Sequence, residues 1–118
     1  MPSLGTVYYV NVRVIARKTL KAFVESLQGR KDQRAVKSAL DAWFHEVQKA
    51  KCGNSADVVR SYTTASIIGA ERVVFNIKGN DYRLVVAIDY QRHIVFIKWI
   101  GRHVDYDKID VKTVNYGN

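Results

Sequence analysis

The chain has 118 residues, a net charge of +8 and a pI near 9.7, so it is the size of a single domain and its natural ligands are anionic. Hydrophobic residues make up 47% and charged residues 25%, a globular composition that excludes wholesale disorder. Cys52 is the one cysteine, which excludes an intramolecular disulfide and any zinc site built on several thiolates, and suggests a reducing, cytoplasmic setting.

The first residues, Met1 to Val10, have neither a basic leader nor a long apolar run, and no later run approaches the length that spans a bilayer. Neither export nor membrane insertion is expected. Tyr8, Val10, Val12 and Val14 alternate as in an edge strand, or belong to an extension of the domain over residues 1–11.

From Thr19 the period becomes helical, with Leu20, Phe23, Val24 and Leu27 on one face and Gly29 placed to stop the helix. A second, longer helix is marked by Val36, Ala39, Leu40, Trp43, Val47 and Ala50, and ends near Gly53-Asn54. The two are expected to form a hairpin. Between about Ser55 and Ala70 the pattern fades, with a short strand around Val58 to Tyr62.

Three strand-like runs follow, Arg72 to Ile77, Tyr82 to Asp89 and His93 to Ile100, and predict an antiparallel meander. In the first link, Lys78-Gly79-Asn80-Asp81, a glycine at the first central position permits the positive φ of a type II′ turn. Pairing Lys78 with Asp81 sets Asn76 opposite Arg83. A similarly tight link that pairs Asp89 with Arg92 would set Arg83 opposite Lys98 and make one polar row across three strands. Like charges directly opposite repel, and a bound phosphate would relieve them.

The third strand leads into Gly101-Arg102-His103-Val104-Asp105-Tyr106-Asp107. His103 and Tyr106 share one side if this segment is a helical turn, and so offer an acid/base pair beside the polar row. His45 and His93 have no further ligand at metal spacing, and the chain lacks a Gly-rich phosphate loop, a nucleophile elbow and a His-Glu-x-x-His pattern. No cofactor and no metal site are expected.

Counting along the sequence, Arg13 to Lys51 holds ten basic and four acidic residues, against nine and seven in Cys52 to Asn118. Arg17, Lys18, Lys21, Lys37, Lys49 and Lys51 are therefore either a solvated face or a contact surface for a large RNA.

The stretch Val74-Phe75-Asn76-Ile77-Lys78-Gly79-Asn80-Asp81-Tyr82-Arg83-Leu84-Val85, with Gly101-Arg102-His103-Val104-Asp105-Tyr106-Asp107, resembles the HigB-like toxins of bacterial toxin-antitoxin pairs, in the RelE superfamily. The resemblance covers about residues 12 to 112, and Val12-Arg13-Val14-Ile15 with Lys18-Thr19-Leu20 looks like the family's N-terminus. It implies an α+β, RelE-like domain: an N-terminal helical hairpin on a small antiparallel sheet, then a short C-terminal helix. It further implies a metal-independent endoribonuclease that enters the ribosomal A site and cuts translated mRNA. A HigA-like antitoxin with a helix-turn-helix domain would hold it inactive.

On that resemblance Arg83 and Lys98 match basic positions on the sheet, and His103 and Tyr106 match the C-terminal pair. Arg102 stands where a threonine is often found in the family. Asn76, Lys78, Arg102, Arg17, Lys18 and Lys21 are the candidate nucleic-acid contacts. Two other classes of function remain open: a non-catalytic RNA-binding or interaction module, and a gyrase-targeting toxin of the same superfamily. The sheet's lack of paired exposed aromatics counts against the first.

Overall fold

A computed structural model describes residues 12–49, 65–69 and 71–115. In chain order the elements are β1 (Arg13–Ile15), α1 (Arg17–Ser26), α2 (Gln33–Lys49), β2 (Ser66–Ile68), β3 (Arg72–Ile77), β4 (Tyr82–Asp89), β5 (Ile94–Arg102) and α3 (His103–Tyr106). The expected strand at Val58 to Tyr62, the helix end at Gly53-Asn54 and the extension over residues 1–11 lie outside the described residues.

The fold is α+β, but the sheet is mixed rather than antiparallel. Its five strands are ordered β1-β5-β4-β3-β2, and β1 lies parallel to β5 with Val14 beside Val95. Between β1 and the meander the described residues hold two helices and β2, a connection long enough to bring the chain back in the same direction. The meander of β3, β4 and β5 is antiparallel as its alternation predicts.

One face of the sheet carries the core. Val73, Phe75, Ile77, Tyr82, Leu84, Val86, Ile88, Val95, Ile97 and Ile100 pack there with Leu20 and Leu27 at the α1 end and with Val36, Leu40, Trp43 and Val47 of α2. These are the apolar positions that the 3.6-residue and two-residue periods select. Trp43 meets Phe75 edge to face, with ring centroids 5.6 Å apart. In the turn after α1, Gly29 takes φ +90°, a conformation open to glycine at no steric cost, and Gln33 donates its side-chain amide to the Val24 carbonyl at 2.9 Å.

The opposite face is buried too. Val74, Val85 and Ala87 point away from the helices and are 4%, 0% and 6% exposed. Residues 111–115 are tied to this outer face from both sides. Arg72 donates through Nη1 to the carbonyls of Val111 and Val114 at 3.1 and 2.7 Å, and Lys98 Nζ donates to Asn115 Oδ1 at 3.2 Å.

Candidate nucleic-acid interface and acid/base site

The β3–β4 hairpin has the predicted register. Asn76 pairs with Arg83, Gly79 has φ +63°, and the Asp81 amide donates to the Lys78 carbonyl at 3.2 Å. Lys78 also adopts a positive φ of 52°, and its ammonium reaches Asp81 at 2.8 Å. The hydrogen bond to Asp81 raises the Lys78 pKa above its ordinary value.

The β4–β5 register corrects the expectation that Arg83 faces Lys98. Asp89 pairs with Ile94, not Arg92, because the link spans Tyr90 to His93, with His93 at φ +58°. A bulge follows: Val86 pairs with Ile97 and Val85 with Trp99, which leaves Lys98 as the extra residue. Arg83 therefore faces Gly101. The polar row runs Asn76, Arg83, Gly101, and Lys98 lies roughly 10 Å along the strand by ordinary strand rise.

What stands beside Arg83 is aromatic. Its guanidinium lies 5.9 Å from the Tyr106 ring centroid, and Tyr106 is 6.2 Å from Trp99. The Trp99 indole sits so close over Gly101 that a β-carbon there would come within 2.5 Å of it. Gly101 is thus the seat of the ring, and the Gly101-Arg102-His103 segment owes its first residue to that contact. Phe96 carries the Lys98 ammonium 5.5 Å from its centroid. Phe96, Trp99 and Tyr106 are all partly exposed, which corrects the expectation that the sheet lacks an aromatic face. The strand alternation already places Phe96 outward; the bulge that turns Trp99 to the same side has no sequence marker.

Arg83 and Lys98 are held by neutral groups. Arg83 donates to the Asn80 carbonyl at 2.9 Å, to Asn80 Oδ1 at 2.8 Å and to the Tyr82 carbonyl at 3.3 Å. Among the described residues neither Arg83 nor Lys98 is ion-paired, so each keeps its full charge for an anionic ligand.

His103 and Tyr106 both lie on α3, but His103 lines a cleft while Tyr106 packs beside Trp99 and Arg83. The His103 amide donates to the Asp81 carbonyl at 2.8 Å, which fixes the start of α3 on the hairpin. His103 lines a cleft of about 340 Å³ with Arg30, Asp32, Asn80, Asp81, Tyr82, Arg102 and Val104. Its Nδ1 is shielded from solvent and has no hydrogen-bond partner among the described residues.

Sequence reasoning missed the wall of this cleft. Tyr82 donates its hydroxyl to Asp32 Oδ2 at 2.6 Å, and Arg30 Nε holds Asp32 Oδ1 at 3.1 Å. Hydrogen bonds from Arg30 and Tyr82 keep the Asp32 carboxyl below the usual carboxylate range. Burial, and then the bond to Asp32, push the Tyr82 phenol up. No local pattern joins residues so far apart in sequence.

The remaining candidates divide between regions. Arg102 pairs with Asp105 at 3.3 Å, near His103. Arg17, Lys18 and Lys21 lie on α1, in the helical layer, across the sheet from Arg83. Arg17 stacks 4.1 Å from the Phe44 centroid, and Lys18 is exposed. Lys37 pairs with Asp41 at 2.7 Å, and that hydrogen bond lowers the Asp41 pKa. Lys51 lies outside the described residues. No cluster of three potential metal ligands occurs among the described residues, and no helix there is long and apolar enough to cross a membrane.

The search of curated proteins finds no match to the chain. Residues 36–109, more than half of the chain, match the family of HigB toxins, described as the RelE-like toxic component of a toxin-antitoxin system. That stretch holds most of α2, the whole meander, Arg83, His103 and Tyr106, and on its strength the chain belongs to the HigB toxin family.

Proposed function

We propose that this toxin is a ribosome-dependent, metal-independent endoribonuclease that cuts translated mRNA in the cytoplasm and is neutralised by a HigA-like helix-turn-helix antitoxin. The observation that carries the reading is Arg83: a guanidinium without an acidic partner among the described residues, beside Tyr106 and on the strand next to the one that delivers His103. A toxin family supplies the antitoxin partner, and the excess of positive charge suits an RNA substrate.

The chemistry needs three things. The ribose 2′-hydroxyl attacks the adjacent phosphorus, so a base must take its proton as the 2′-oxygen–phosphorus bond forms. An acid must protonate the 5′-oxygen as its bond to phosphorus breaks, and cations must hold the charge that builds on the phosphoryl oxygens. His103 is the proton-transfer group, since an imidazole can both accept and donate a proton. Tyr106 donates a hydrogen bond to the phosphate and Arg83 holds its negative oxygens. Lys98 lies farther along the face, where with Phe96 it meets a neighbouring nucleotide of the same strand rather than the reacting phosphate. Asn76, Lys78 and Arg102 border this track, and Arg17, Lys18 and Lys21 on the helical layer contact ribosomal RNA.

An in vitro translation reaction with end-mapping of the message tests this. Cuts in register with codons, absent when ribosomes are withheld, are the expected result. An intact message with translation unaffected would overturn the nuclease reading in favour of a binding module or a gyrase toxin.

A further inference from the structure

The cleft beside His103 differs electrostatically from the face that carries Arg83. Each ionic side chain that lines it is already paired: Arg30 with Asp32 at 3.1 Å, Asp81 with Lys78 at 2.8 Å, and Arg102 with Asp105 at 3.3 Å. A phosphate would have to displace a carboxylate to gain a cation there. A neutral ligand with hydrogen-bonding edges meets no such penalty.

The size and lining suit a planar group. A volume of about 340 Å³ admits a nucleobase with part of its ribose, Val104 offers an apolar side chain that is 54% exposed, and Tyr82 forms part of the wall. The cleft opens between the α1–α2 turn and the β3–β4 hairpin, next to His103. A strand whose phosphate rests on Arg83 and is attacked beside His103 has a base to place within one nucleotide of that point.

Asp32 sets what such a base must present. A carboxylate has about four acceptor positions. Three donors already occupy Asp32: Arg30 Nε at 3.1 Å, Arg30 Nη2 at 3.5 Å and the Tyr82 hydroxyl at 2.6 Å. Its own backbone amide adds a weaker contact, and the side chain keeps 21% of its surface exposed, where a further donor can reach it. Arg30 and Tyr82 hold the carboxyl in its charged form at neutral pH, so it accepts and does not donate. The amino groups of adenine, cytosine and guanine satisfy it. Uracil offers only N3–H, flanked by two carbonyl oxygens that a carboxylate repels.

We propose that this cleft is a nucleobase subsite flanking the scissile phosphate, in which Asp32 selects a base that carries an exocyclic amino group and rejects uracil. The inference rests on the nuclease reading above. Discrimination of this kind is worth about five- to 150-fold for one well-made contact.

The test is an in vitro translation of a message library that places every codon at the cut, with base frequencies counted at each position flanking the cleavage point. In the wild-type digest uracil is depleted at least fivefold at one flanking position. Asp32→Asn, which keeps the side chain's shape, brings the depletion at that position to within twofold, and Asp32→Ala does the same. The readout is a ratio within one digest, so a change in total activity does not move it. An unchanged uracil depletion in both variants, or none in the wild type, overturns the subsite while the nuclease reading stands. A wild-type protein that leaves all messages intact overturns the nuclease reading, and the subsite with it.

Discussion

The Tyr82 hydroxyl reaches the Asp32 carboxylate across 2.6 Å and so joins the start of β4 to the turn between α1 and α2. The same ring meets Phe23 of α1 edge to face, with centroids 5.8 Å apart, so the bond adds a polar tie to an apolar one. It makes the position of His103, which hangs on the same hairpin through Asp81, a property of both layers.

The bond carries a pH dependence. Asp32 has a lowered pKa in the fold, so its contribution is present above its unfolded value, near 4, and is lost as pH falls through the depressed native one. Tyr82 has the opposite sign: its phenol is raised, so its contribution is complete below about 10 and disappears as pH climbs through the native value. Urea midpoints compared between wild type and Asp32→Asn should show a wild-type advantage at pH 6 that is smaller at pH 3. An advantage of equal size at both would rule this linkage out.

Trp99 over Gly101 gives a second prediction. A β-carbon at residue 101 would lie 2.5 Å from the indole, so Gly101→Ala must expel the ring from its seat. Overpacking of this kind costs about 1–3 kcal/mol. Tyr106 and, through it, Arg83 lose their neighbour, so message cleavage falls together with stability. In a Trp43→Phe background the emission reports Trp99 alone, and Gly101→Ala should shift it to the red. Because the two residues touch, Trp99→Ala with Gly101→Ala should destabilise by less than the sum of the single changes. Full additivity would show that the contact is not the cause.

The two basic regions should separate kinetically. His103→Ala is expected to lower cleavage by about 10² to 10⁴-fold with ribosome binding largely kept, the scale for loss of one proton-transfer group. Arg83→Ala should also slow the chemical step. Neutralising Lys18 and Lys21, across the sheet, should weaken ribosome association and flatten its salt dependence by about one unit of slope for each lost phosphate contact. Single-turnover cleavage and binding titrations at several salt concentrations distinguish the two effects. If all these variants behaved alike, a single contact surface would replace the division.

What the sequence shows of this fold depends on how local the determinant is. The hairpin of β3 and β4 is legible because four residues with Gly79 fix its register, and Asn76 falls opposite Arg83 as counted. The next hairpin is not, since its longer link and the bulge at Lys98 are each compatible with the same alternation of apolar residues. Pairing by count therefore displaced Lys98 by three places. The parallel partner of β5 is a three-residue strand, too short for its pattern to announce direction. His103 and Tyr106 were visible as a spacing, while the partition of their surroundings depends on Asp32, Tyr82 and Trp99, which tertiary packing alone brings there.

Arg72 offers a final prediction, about what covers the outer face. Its Nη1 serves two backbone carbonyls, Val111 at 3.1 Å and Val114 at 2.7 Å, while Lys98 on β5 holds Asn115. These charged donors tie residues 111–115 to β3 and β5. Arg72→Ala leaves both part-buried carbonyls without their donor, and water replaces it in part, so the loss stays at the low end of the about 1–3 kcal/mol that a fully buried group costs. Arg72→Lys keeps the charge, but a point-like ammonium lacks the planar guanidinium's geometry and should rescue only part of the loss. Amide exchange gives the readout. The Thr113 and Val114 amides, which donate to the Asp110 carbonyl at 3.1 and 2.9 Å, should lose protection in Arg72→Ala, whereas those of Leu84 and Val86 in the centre of β4 keep theirs. Unchanged exchange at Thr113 and Val114 would mean that packing, not Arg72, holds the segment in place.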